Sequence, residues 1–412
     1  MRLYAPIAIA AAAAIGCQRR SSAPALPPPP QTAEVQAPDA SLSARELRKI
    51  QPADHEEPLK PCPAGEGDPL ASAAAFYDSR QYEDALACAA QAAAALPRSA
   101  DAQSERGAAL SALGRYDEAR FAYAKALALD PDHPDALLGA ADLYITRVVP
   151  SRDANELGFE YARRGHSNAR KQKNKELTGQ FALLEAMALN GLGRNREALD
   201  RADEALSQVE DEDGEALFER ASALYELCRF DEARKEFTKL LHYPSPKDAY
   251  AHHYLGLLLE RDGKQALADA EFAAARKLSP EDFPLEVPIG RDEFRKIVDD
   301  EVKALSGEDR RDLAGIPIET QEIPDLEDLV ASDPPLSPAI LGLFRGPPKG
   351  EACPPPDEDP GPCRAIVLYR KNLARVVADR AELIRQAHVT LVHEIGHLRG
   401  EDDVQLAARG LE

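Results

Sequence analysis

The sequence predicts a mainly α-helical chain: an α-solenoid of repeated helical hairpins, followed by a small α+β domain. Three observations carry that prediction. Alanine is abundant, tryptophan is absent and aromatic residues make up only 6%, a helix-biased composition. Related stretches recur at a spacing of 34 to 35 residues, as between Ala85 and Ala119, or Ala198, Ala233 and Ala268. Short β-branched runs are confined to the last third. With 412 residues and 44% hydrophobic content, the chain is long enough for two or three domains with their own cores. Its formal net charge of −21, with no concentrated stripe of Lys and Arg, argues against nucleic acid and anionic lipid surfaces as partners.

The first element, residues 1–17, carries Arg2, then an apolar run from about Ile7 to Ile15, then Gly16 and Cys17. That run is too short to span a bilayer as a mature helix. Its order resembles a bacterial lipoprotein signal, which implies that Cys17 is the acylated first residue of the mature protein; an ordinary secretory signal is the alternative. Either reading exports the protein. Gln18 after the cysteine implies, by the rule for such signals, retention at the outer membrane, so the expected location is the cell envelope, lipid-anchored on the periplasmic face. Residues 18–66, with Pro27 to Pro30 and many Ala, Ser and Gln, bury too little apolar surface to order themselves and are expected to be a disordered tether.

Export makes disulfides permissible. Cys353 and Cys363 bracket a proline-rich loop and are the first expected pair. Cys62 with Cys88 is the second, leaving Cys228 free on an apolar helix face.

Residues 67–283 hold the repeats. In the unit from about Ala100, small or apolar residues fall at Gly107, Leu110, Ala119, Tyr123, Ala126 and Pro131; in the last unit they fall at Gly256, Leu259, Ala268, Phe272, Ala275 and Pro280. The pattern resembles the tetratricopeptide repeat, which implies five to six stacked hairpins and a surface that binds a protein or peptide, or a rigid spacer. Residues 136–174 break the register once. His242, His252 and His253 have no zinc-site spacing and read as ordinary helix histidines.

Residues 284–412 read as a second domain. A helix from about Arg291 to Leu305 precedes short strands near Ile316–Glu319, Leu341–Phe344 and Ile366–Tyr369, and a final helix runs from about Arg380 to Arg399, capped by Asp379 and stopped by Gly400. On that helix His393 and His397 lie four residues apart, so both imidazoles project from one face and can hold one Zn²⁺. Glu394 stands beside the first, where a carboxylate can take a proton from water and pass it to a leaving amine. Asp403 is the first choice for the third ligand, with Asp402 and Glu401 close enough to compete. Tyr369 reads as a packed strand residue, with oxyanion stabilisation as the alternative.

The segments DEFRKIVDDEVKAL, DPPLSPAILGLFRGPP, CRAIVLYRKNL and VTLVHEIGHLRGEDD together resemble a minimal zincin-like family of bacterial zinc metallopeptidases that ends soon after the zinc helix. The resemblance implies His393 and His397 as zinc ligands, Glu394 as general base, Asp403 less securely as ligand, and an edge strand, either Leu341–Phe344 or Ile366–Tyr369, that aligns the substrate backbone. Leu398-Arg399 departs from the family's pattern and is expected to alter the pocket wall. The expected function is an exported zinc metallopeptidase whose repeats recruit its protein substrate. The rivals are a repeat scaffold with an inert zinc-binding domain, and hydrolysis of another kind of amide.

Overall fold

The computed structural model describes residues 60–63, 67–208, 214–242, 245–353 and 362–411. The expected signal, Cys17, the proline run and nearly all of the tether lie outside the described residues. Among those described, five helical hairpins follow one another, interrupted once by two helices not paired in this way: α1 (Pro69–Asp78) with α2 (Tyr82–Ala95), α3 (Ala100–Ala112) with α4 (Tyr116–Leu129), then α5 (Pro134–Asp142) and α6 (Arg152–Gln172), then α7 (Lys175–Gly191) with α8 (Asn195–Gln208), α9 (Gly214–Glu226) with α10 (Phe230–Leu240), and α11 (Asp248–Arg261) with α12 (Gln265–Leu278). No helix among them is long and apolar enough to cross a membrane.

Contacts divide the chain into two compact units that join at Leu143 and Tyr144. That junction falls in a π-helical turn, Leu143–Arg147, which together with the 21-residue α6 accounts for the break in register. In the first unit a Cβ on Gly107 would stand 2.7 Å from the Tyr123 ring, and Ala119 and Ala126 are fully buried. In the second unit a Cβ on Gly256 would stand 2.6 Å from Phe272, with Ala268 and Ala275 fully buried. The repeat pattern is therefore a packing rule: glycine on one helix lets an aromatic ring of its partner lie against the backbone. The first unit also holds the Cys62–Cys88 disulfide, which ties the segment before α1 to α2.

The rest of the second unit is α13 (Arg291–Ala304), α14 (Gly307–Asp312), β1 (Ile318–Gln321), α15 (Leu326–Leu329), β2 (Gly342–Arg345), β3 (Ala365–Tyr369), α16 (Arg370–Arg375), α17 (Arg380–Arg399) and α18 (Asp403–Ala407). The sheet order is β1-β3-β2, with β1 parallel and β2 antiparallel to β3. Ile366–Tyr369 is therefore the central strand, fully buried because it is covered on both sides, and of the two expected edges only the Leu341–Phe344 run lies at one. Phe294, Ile297 and Val298 of α13 pack with Ile366, Leu368, Leu391 and Ile395 in one core under α17. Cys353 and Cys363 are joined. Cys228 is free, but it sits in the turn after α9 at φ +58 rather than on a helix face, with its thiol donating to the Leu336 carbonyl oxygen.

Within this unit the last hairpin is locked to the C-terminal domain by Glu260. Its buried carboxylate accepts from Arg375 Nη2 at 2.7 and 2.8 Å and from Lys371 Nζ at 2.7 Å. Arg261 adds a bond to the Pro324 carbonyl oxygen, and Phe230 packs on the cluster of Leu329, Leu336 and Tyr369. Removing one partner of a buried ion pair leaves charge without compensation. Glu260→Ala is thus expected to destabilise the chain by about 3 kcal/mol or more in denaturant unfolding, whereas Glu160→Ala, on an exposed pair with Arg163, leaves the midpoint nearly unchanged.

Candidate metal centre

Helix α17 begins where Asp379 accepts from the Glu382 amide and ends at Gly400, whose φ of +90 is a left-handed cap. The cap turns the chain back so that α18 packs over the helix it has just left. Gly396, between the two histidines, permits this: a Cβ there would stand 2.3 Å from Leu406. Asp403, the first residue of α18, is thereby delivered to the histidines, and the closest nitrogen and oxygen ligand atoms of His393, His397 and Asp403 all lie within 4.8 Å of one another.

The hydrogen bonds fix the state of the imidazoles. His393 Nδ1 donates to the Leu411 carbonyl oxygen at 2.6 Å, and His397 Nδ1 donates to that of Glu401 at 3.0 Å. A carbonyl can only accept, so both protons are held on Nδ1 and both Nε2 atoms keep their lone pairs in the neutral rings. Those Nε2 atoms face each other at 3.0 Å, and Asp403 Oδ1 lies 3.6 and 3.3 Å from them. Three acceptors thus converge on one point, a donor set that fits a divalent zinc with an open coordination position. Burial alone would lower the two imidazoles, but Asp403 holds both above the ordinary histidine range. Burial works against the ionised form of Asp403, and the two imidazoles nevertheless hold it below the usual aspartate range.

Glu394 lies on the same helix, next to His393, and is near enough to both imidazoles to feel their charge. It is buried under the edge strand: a Cβ on Gly342 of β2 would stand 2.9 Å from its Oε1 and 2.6 Å from Thr390 Cγ2. The Phe344 amide donates to the carboxylate. Burial pushes Glu394 up to about 7, against the pull of the two imidazoles and that amide. A carboxyl in that range is matched to proton transfer near neutrality.

The rival acids are engaged elsewhere. Asp402 is the N-cap of α18 in a capping box with Gln405, and Glu401 pairs with Arg409. Leu398 and Arg399 do not shape a pocket wall: Leu398 is in the core, and Arg399 bonds Asp309 and Asp312. Tyr369 is fully buried in the sheet, its hydroxyl pushed up by burial, so the packed reading holds. His252 bonds Glu271 and His253 stacks on Phe283, so neither joins a metal cluster. The carbonyls of Leu411 and Glu401 and the Phe344 amide leave no trace in a sequence, since every residue carries those groups. Glycine inside α17 was the one visible signal.

If Asp403 is a ligand, Asp403→Ala lowers zinc affinity by more than the roughly 10- to 100-fold that loss of an outer partner costs. Asp402→Ala removes only a helix cap and costs less than about tenfold. Competition with a chelating dye checks both.

Residues 313–411 match the family model described as zincin-like metallopeptidase, and residues 100–133, 183–241 and 226–283 match tetratricopeptide-repeat models. No curated protein matches the chain. Among solved structures it is similar to pilF of Pseudomonas aeruginosa, at 15% identity over 52% of this chain and 93% of that one, with a TM-score of 0.43. It is also similar to YrrB, described as a tetratricopeptide-repeat protein with an unusual peptide-binding site, at 20% identity over 47% and 92% of the two chains, with a TM-score of 0.36. The chain therefore combines tetratricopeptide repeats with a zincin-like metallopeptidase domain at residues 313–411.

Proposed function

We propose that the protein is a zinc-dependent peptidase of the cell envelope, in which His393, His397 and Asp403 hold the metal, Glu394 is the general base and the repeats recruit a protein substrate. The observation that carries this reading is the convergence of the two imidazole Nε2 atoms and one carboxylate oxygen, with both Nδ1 atoms engaged by backbone carbonyls, beside a carboxyl that burial pushes up to about 7. Zinc bound there supplies Lewis-acid polarisation of a scissile carbonyl and makes water acidic enough to lose a proton near neutrality. Glu394 takes that proton and returns it to the leaving amine. The carbonyls of Leu411 and Glu401 keep both imidazoles in the tautomer that leaves Nε2 free. Strand β2, which no described strand covers on its outer side, offers main-chain groups to an extended peptide.

The same burial also supports a second reading. Glu394 and the two histidines are almost closed to solvent, as suits a domain that holds metal as a structural part of a repeat scaffold without cleaving. Zinc content and turnover of a mixed peptide library separate the two. Glu394→Gln is expected to keep one zinc and lose about 10²- to 10⁴-fold in turnover, while His393→Ala and His397→Ala lose stoichiometric zinc. One zinc in the wild type with no cleavage selects the scaffold.

The envelope location is tied to acylation of Cys17. Cys17→Ser is expected to abolish incorporation of labelled palmitate and release the protein from the membrane fraction; a labelled, membrane-bound variant removes the anchor from the proposal.

A further inference from the structure

Between the last two hairpins and the C-terminal domain lies a cavity of about 160 Å³ that the peptidase reading does not use. Six rings line it: Tyr225, Tyr250, His253, Tyr254, Phe272 and Phe283. Burial, reinforced by Arg375, pushes His253 down to about 3, so this wall is uncharged at any physiological pH. A cavity of about 150 Å³ lined by apolar groups admits one benzene ring, so the space matches a single aromatic side chain.

Its polar lining is incomplete in both senses. Asp282 Oδ2 accepts from Tyr250 and Ser279 while Oδ1 is buried without a partner. Arg375 uses Nε and Nη2 on Glu286 and Glu260, leaving Nη1 buried without one, and Arg276 Nε is likewise unmatched. The lining therefore carries one unmatched acceptor and two unmatched donors and is polar as well as aromatic, which suits an aromatic side chain delivered on a peptide better than a free hydrocarbon.

The cavity is also continuous with the edge strand. Pro338 and Ala339 line it, held by Asn372 Nδ2, which donates to the Pro338 and Ile340 carbonyl oxygens. Three residues later Gly342 lies against Glu394, and three residues span at most about 10 Å. A peptide running along β2 therefore has the cavity within a few residues of the carboxyl.

We propose that this cavity is a specificity subsite that takes one aromatic side chain, with its flanking peptide group, from an extended peptide lying along β2. Its place relative to a scissile bond rests on the peptidase reading; the binding itself does not.

The test is calorimetric titration of the full chain carrying Glu394→Gln with acetyl-Gly-Gly-Phe-Gly-Gly-amide and with its Ala counterpart. The Phe peptide is expected to bind about tenfold tighter or more, as burial of one ring implies. Val376→Asp, a charge at an exposed lining position, and Ala339→Phe, which fills the space, are each expected to abolish that preference with the melting temperature of the parent retained. Equal affinity for the two peptides, or a preference untouched by Val376→Asp, overturns the subsite. Acetyl-phenylalanine-amide binding as tightly as the pentapeptide overturns the peptide assignment in favour of a small aromatic ligand. Cleavage by the wild type is scored separately: a Phe preference without cleavage keeps the subsite and removes the peptidase reading, and cleavage without a Phe preference does the reverse.

Discussion

A carboxyl and two imidazoles inside an apolar core are the constraint around which the C-terminal domain is arranged. Polar groups taken out of water must be matched or held in place by surrounding packing. Helix α17 meets this by dividing its polar groups between two neighbours. The histidines turn toward the fold-back of α18, where carbonyls take their Nδ1 protons, while Glu394 turns toward β2 and receives one amide. The two Nε2 atoms and Asp403 Oδ1 are left facing one another, a local concentration of polar atoms beside α17. The hydrophobic core beneath, from Phe294 through Ile366 to Ile395, supplies the stability that such a concentration costs.

Small residues make that arrangement possible at each close approach. Gly342 admits Glu394 beneath the strand, Gly396 admits Leu406 beneath α18, and the glycines of the repeats admit Tyr123 and Phe272. In each case the side chain that is absent determines how near two backbones come, and hence where a functional atom ends up.

The sequence was legible wherever function or packing depends on residue type at a fixed spacing. The four-residue interval between His393 and His397 put both imidazoles on one helix face, and the recurrence of Gly, aromatic and Ala positions located the hairpins. Asp379 and Gly400 marked the ends of α17 because capping is a local chemical event. Strand order was not legible, since Leu341–Phe344 and Ile366–Tyr369 are equally apolar and only long-range pairing makes the second central. Which acid lies near the histidines depends on which begins α18 and which caps it, a distinction of one residue made by the turn and not visible in composition. Cys228 was misplaced for a related reason: a left-handed turn residue other than glycine carries no signature in composition.

The lock at Glu260 has a consequence for how the chain can be divided. The family match begins at residue 313, yet Phe294, Ile297 and Val298 of α13 lie before it and fill the core under α17. A fragment cut at that point would open this core to water and leave Arg375 and Lys371 as two cations whose counter-charge sits on a helix no longer present. Inheritance and packing thus draw different borders here: the segment recognisable as a module by its sequence is shorter than the piece that keeps both this core and this ion pair, which reaches back through α13 to the hairpin that carries Glu260.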